Sequence, residues 1–209
     1  MKPLRGSLLV LAAWGCWSLQ AAVPVTPQGE RLAAVYDALD VAHHWLPGQQ
    51  VEWRTGEPRP GRPGRTHCSA FAAAACDRLG IYLLRPPEHP QTNLANAQAV
   101  WLAQEGPAQG WRTVPSPLAA QALANQGQVV LAIYASPDPG RAGHVALVRP
   151  LDKPDDQVLA EGPQVVQAGA ENAVSVSLAV GFRHHRSAWI PDGRGGVAFY
   201  AHGLADTGP

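Results

Sequence analysis

The sequence predicts an α+β domain with a mostly antiparallel sheet. Apolar stripes at helical spacing occupy the chain up to residue 126, and short β-prone runs bounded by Gly, Pro and Asp follow them. With 209 residues, 46% apolar and only 15% charged, the chain has enough material for one ordinary core and too little charge for disorder. Gly 21 and Pro 20 make up about a fifth of it, which calls for many turns and excludes a plain helical bundle. Lys plus Arg equals Asp plus Glu at 16 each, so the chain lacks the basic footprint of a nucleic-acid binder.

The first element is not part of the fold. Lys2 and Arg5 precede an apolar run from Leu8 to Trp17, and small residues follow at Ala21 and Ala22, the pattern of a secretory signal peptide over residues 1–22. The run falls short of the roughly 20 apolar residues that span a bilayer, so no membrane span is expected. A single exported domain over 23–209, periplasmic or secreted, is the expectation; Cys16 offers a lipid-anchored variant of the same export.

From Gln28 to Leu46 the residues Leu32, Val35, Tyr36, Leu39, Ala42 and Trp45 recur at three and four, predicting an amphipathic helix stopped by Pro47-Gly48. The stretch GEPRPGRPGR from Gly56 to Arg65 is a Pro/Gly/Arg loop. A short Ala-rich helix from Cys68 to Leu79 follows, with Gly80 at the position of a C-terminal cap. Two more helices are expected, from Leu94 to Glu105 and from Pro117 to Gln126. The strands are then Val129 to Tyr134, Val145 to Val148, Gln164 to Gln167, Val174 to Leu178 and Val197 to Tyr200. The charged insertion from Arg149 to Gly162 reads as a loop.

Export to an oxidising compartment makes a disulfide between Cys68 and Cys76 the plain expectation. Eight helical residues hold the two Cα atoms about 12 Å apart, beyond the roughly 7 Å that a bridge tolerates. A free exported thiol needs another reason, and catalysis is one. Cys68 in the first turn of a helix sits in the positive end of the helix dipole, which favours thiolate. His144 at the head of a strand can serve as its base, and Gln167 in the next strand can orient the imidazole. Cys68, His144 and Gln167 are therefore the expected catalytic triad, with Asn172 a rival for the third place. The pairs His43-His44 and His184-His185 have no metal-ligand spacing and read as solvated or core residues, so no metal site is expected.

These segments together resemble the NlpC-type cell-wall cysteine peptidases, a papain-like family. Cys68-Ser69 and Leu79-Gly80-Ile81 match its nucleophile helix. Gly127-Gln128-Val129-Val130, His144-Val145-Ala146-Leu147 and Gln167-Ala168 match its following strands in order, and Trp53 matches its upstream aromatic. The resemblance covers Val51 to Leu178. It implies a papain-like fold and an exported hydrolase of peptide or amide bonds in peptidoglycan stem peptides, with no cofactor. Trp53, His67 and Ser69 are the expected substrate-binding residues. His67 and Ala70 stand where the family carries Asp and Gly, which implies a different choice of substrate, and Val51 stands where it carries an oxyanion-hole Tyr, which implies the Cys68 N–H and another side chain as oxyanion donors. Two further readings stay open: an N-acetylmuramoyl-L-alanine amidase of the CHAP type, and an inactive papain-like domain that binds wall fragments or a partner.

Overall fold

In the computed structural model, which describes residues 23–62, 66–191 and 195–204, the first helix is α1 (Pro27–Asp37). The predicted export segment at 1–22 and Arg65 of the basic loop lie outside the described residues. Thr26 caps α1 by accepting from the Gly29 amide at 3.2 Å, and Pro27 fills the position where no N–H is needed. A two-residue ribbon follows, β1 (Gln50–Val51) against β2 (Pro58–Arg59). Then come α2 (Cys68–Arg78), α3 (Leu94–Gln104) and a 3-10 turn at Gly106–Gln109. The rest of the chain is β3 (Arg112–Val114), α4 (Pro117–Asn125), β4 (Val129–Tyr134), β5 (His144–Val148), α5 (Asp155–Glu161), β6 (Gln164–Gln167), β7 (Ala173–Ser177), α6 (Leu178–Gly181) and β8 (Ala198–His202).

Six strands form one antiparallel sheet in the order β3-β8-β4-β5-β6-β7. The chain is thus α+β, as its pattern predicts. Alternation along the strands divides the interior into two cores. Leu131, Ile133, Val145, Leu147 and Val166 face Phe71, Ala72, Ala75 and Leu102 of α2 and α3. Val130, Ala132, Ala146, Val148 and Val165 face Ala120, Ala124, Leu178 and Phe182 on the other side. From Cys68 to Cys76 every residue of α2 is buried, and its run of alanines lets the helix lie close on β5 and β6. A larger side chain there costs roughly 1–3 kcal/mol of overpacking.

Two expectations are corrected, and two short elements were not expected at all. The helix from Gln28 to Leu46 stops at Asp37, because Asp40 and Trp45 adopt positive φ of 49° and 52° and Asp40 gives its carbonyl to the amides of His43 and His44. The apolar residues beyond it pack from a loop: Val41 and Trp45 are buried, while Ala42 is exposed. The Arg149 to Gly162 insertion contains α5, whose first turn carries Asp155 and Asp156 and which packs beside α4. Buried Lys153 anchors it by donating to the Gly162 carbonyl at 2.8 Å and pairing with Glu161 at 2.8 Å. The short β3 and the single turn α6 carry no sequence periodicity long enough to announce them. No described helix is long and apolar enough to cross a membrane.

Candidate active site

The amino end of α2 meets the amino end of β5, and this junction holds the residues singled out for chemistry. Cys68 is the first residue of α2 and is 3% exposed. Its thiol faces the backbone N–H of Val145, its own and Ser69's N–H groups, and the Ser69 hydroxyl. Burial pushes the thiol up from its ordinary value; those donors pull it down by less. The expectation of a thiolate from the helix dipole is therefore corrected: desolvation dominates and the sulfur is a thiol at rest. Cys76, eight residues on, is fully buried, and burial pushes its thiol up as well.

His144 opens β5 and is 5% exposed. Its ring is joined to Gln167 by a 2.8 Å contact between Nε2 and Oε1. The direction of that bond follows from the next one along. Gln167 Nε2 donates to the Glu171 carbonyl at 3.2 Å, so the amide oxygen must face the imidazole. An amide oxygen only accepts, so Nε2 of His144 carries the proton and Nδ1 presents its lone pair. Burial lowers the proton affinity of His144, with the Gln167 bond opposing it, so the ring is neutral at rest. Among the described residues no hydrogen bond joins the Cys68 sulfur to the His144 ring; the thiol lies against the amide of the very next residue.

Two glycines make room for this pair. A Cβ on Gly181 would stand 2.6 Å from Gln167 Oε1, and one on Gly169 would stand 3.3 Å from His144 Cε1. Asn172 is occupied elsewhere: its Nδ2 donates to the carbonyls of Val41 and His44 at 2.7 and 2.9 Å, and its Oδ1 accepts from Gly169 N–H at 3.1 Å. It ties the turn after β6 to the loop after α1 and does not touch His144.

Of the three residues expected to bind substrate, only Ser69 adjoins the thiol. His67 is 4% exposed and its Nε2–H donates to the Gln49 carbonyl at 2.8 Å, so its ring braces the approach to α2 and is not presented to a ligand. Trp53 is linked through two arginines to Asp77, nine residues on from Cys68 in α2. Its ring sits between the guanidinium groups of Arg54 and Arg85, at 5.1 and 5.4 Å, and both of these pair with Asp77. Chain proximity to the nucleophile loop suggests a cleft residue; in the fold the indole lies against the Arg–Asp–Arg network.

One residue set aside in the sequence belongs to the site. His185 stacks on His144 with ring centroids 5.7 Å apart and planes 16° apart, and Phe182 meets the same imidazole edge-on at 4.6 Å. The only sequence signal for it was its place in the His184-His185 pair, which had no partner at short spacing. Among the described residues no group of three or more His, Cys, Asp or Glu side chains could hold a metal ion. No protein-family model matches the chain, and no curated protein matches it in sequence.

Proposed function

We propose that this chain is an exported cysteine hydrolase with a papain-like, NlpC-type arrangement, cutting peptide or amide bonds of peptidoglycan stem peptides. The observation that carries the chemistry is the 2.8 Å bond from His144 to Gln167, which leaves Nδ1 unprotonated on the residue next to Val145, whose amide Cys68 faces. The motif order from Cys68-Ser69 through His144-Val145 to Gln167-Ala168 supports the family and the substrate class. The signal-like segment at 1–22 supports a periplasmic or secreted location.

Because both groups are neutral at rest, the step is general-base catalysis and not attack by a preformed ion pair. His144 Nδ1 takes the Cys68 proton as sulfur bonds to the carbonyl carbon, and the carbonyl oxygen becomes an oxyanion facing the first amides of α2. The C–N bond then breaks, and the imidazolium returns the proton to the leaving amine. Water attacks the thioester with His144 as base, the acid leaves, and the thiol is restored. Gln167 Oε1 accepts from Nε2–H throughout and steadies the positive ring.

Purified peptidoglycan digested by the exported form, beside its Cys68→Ala variant, tests this by mass spectrometry. New muropeptides in the first digest alone are expected, and a free stem peptide with an unblocked amino terminus identifies the CHAP-type amidase instead. Identical digests sink the hydrolase. They favour the second reading, an inactive domain binding wall fragments or a partner, which the burial of Cys68 and the His67, Ala70 and Val51 replacements also support.

A further inference from the structure

His185 lies just beyond α6, half-buried, on a segment that turns back on itself through the His185 N–H to Phe182 carbonyl bond at 2.8 Å. Its ring stands between two others. His144 lies on one side at 5.7 Å and nearly parallel, and Tyr134, at the end of β4, lies at 5.3 Å and tilted by 49°. Tyr134 is itself fixed through its hydroxyl, 2.9 Å from Ser187 Oγ. Neither ring nitrogen of His185 bonds to a described residue, so the side chain is held by packing of its faces. With Phe182 edge-on at 4.6 Å, the His144 ring is covered by two aromatic groups from the same short segment.

We propose that His185 is a positioning residue of this site: its ring, held against Tyr134, covers the His144 imidazole and keeps it where Nε2 meets Gln167 and Nδ1 is left for Cys68. The inference rests on the reading of His144 as the base. It goes beyond that reading in giving a fourth, non-bonded side chain a defined part in keeping that base neutral. The charged and titratable groups around His185 agree with the role. His144 of β5, His184 of its own segment and Arg141 of the β4–β5 turn all disfavour a proton on it. Burial, the largest cause, pushes it down to about 4, and repulsion between its own positive charge and any on these neighbours adds to that. A neutral ring can lie flat on a base that must take up a proton; a charged one would repel it.

Isotope-edited NMR of the histidine rings tests this in the full exported chain, with His144→Gln used to assign the signals. The wild type and His185→Phe, which keeps a flat ring and discards the nitrogens, are expected to show His144 as a single Nε2–H tautomer that resists protonation. His185→Ala lets water reach the ring, so the His144 titration midpoint rises toward the ordinary histidine value. Muropeptide release falls in parallel, on the order of ten- to a hundredfold, and Phe restores it. A His185→Ala protein whose His144 keeps the wild-type tautomer and midpoint overturns the inference. If the Ala variant does not fold, the Phe variant decides alone: loss of the single tautomer there overturns it. Failure of the catalytic reading appears separately, as identical digests from wild type and Cys68→Ala, and leaves the ring measurement intact.

Discussion

Gly181→Ala is the sharpest perturbation of the site, because it adds one methyl group at a point that touches nothing but the orienting amide and its bed. The new Cβ would lie 2.6 Å from Gln167 Oε1, 3.3 Å from Gln167 Cδ and 3.4 Å from Val165 Cγ2. Gln167 must retreat by roughly 0.8 Å to reach ordinary van der Waals contact, and a bond of 2.8 Å to His144 then exceeds hydrogen-bonding range. The backbone at Gly181 is not in the left-handed region, so alanine itself is unstrained there and gains up to about 1 kcal/mol from helix propensity. Loss of the buried hydrogen bond costs about 1–3 kcal/mol, so the two nearly offset and the melting temperature should move by no more than roughly 8 °C. Function should suffer far more. Freed from Gln167, the imidazole can place its proton on Nδ1, and a base in the wrong tautomer or displaced by a fraction of an ångström loses on the order of a hundredfold in kcat/KM. Muropeptide release by wild type and variant, measured with thermal unfolding on the same samples, gives both numbers. A Gly181→Ala protein with wild-type turnover would refute the assignment of Gln167 as the residue that orients His144.

Other consequences follow from the same contacts. Asn172→Ala removes the hydrogen bonds to the Val41, His44 and Trp45 carbonyls that tie the β6–β7 turn to the loop after α1, and one to Gly169 N–H within the turn, and should cost about 2–3 kcal/mol in urea unfolding; a change below about 0.5 kcal/mol would show the tie to be inert. His67, His144 and His185 all have proton affinities lowered by burial, so the unfolded chain binds more protons than the native one below the ordinary histidine value of 6.5. Stability should therefore be whole above that value and fall as the pH drops, the His185 contribution fading down to about 4; urea midpoints that stay level from pH 7.5 to 4.5 would contradict it. Cys68 should alkylate slowly with iodoacetamide at neutral pH and faster as the pH rises past the ordinary thiol range, because burial pushes the thiol up. A fast, pH-independent plateau near neutrality would instead mean a preformed ion pair.

Much of this architecture is legible in the sequence where period and punctuation agree. Val129 to Tyr134 is continuous, apolar and bounded by Gly127, and β4 has those ends; Ser116-Pro117 opens α4 because a hydroxyl cap and a proline at the first turn leave few alternatives. The Cys68 helix and the His144 and Gln167 strands are readable for the same reason, and so the bond between His144 and Gln167 joins two residues that the sequence pattern singles out. Sequence reasoning failed where long-range contacts override local pattern. The helical stripe past Asp37 is broken by Asp40 in the left-handed region, and Asn172 then fastens the resulting loop through the Val41 and His44 carbonyls, 131 and 128 residues away. The surroundings of Trp53 were hidden in the same way: Arg85 and the Asp77 that pairs with it come from later segments. His185 was invisible for the same reason: its value lies in a ring 41 positions earlier.

The state of Cys68 shows why magnitudes must decide between two true statements. A helix amino terminus does favour an anion, by about 0.3–1 kcal/mol at an exposed position and up to about 2 in a partly buried one. Moving a charge out of water shifts a fully buried group by up to 3–5 pK units, which is larger. At 3% exposure the second term prevails even with the Val145, Ser69 and Cys68 amides aimed at the sulfur. The same burial keeps His144 neutral, so under the proposed function neither partner is charged until a carbonyl arrives to be attacked. Such a pair depends entirely on which ring nitrogen holds the proton. That choice is made by a chain of acceptors: the Glu171 carbonyl orients the Gln167 amide, and the amide oxygen then orients the imidazole. Under this arrangement the decisive atoms of the site are not the nucleophile's own surroundings but a backbone carbonyl two hydrogen bonds removed from the imidazole.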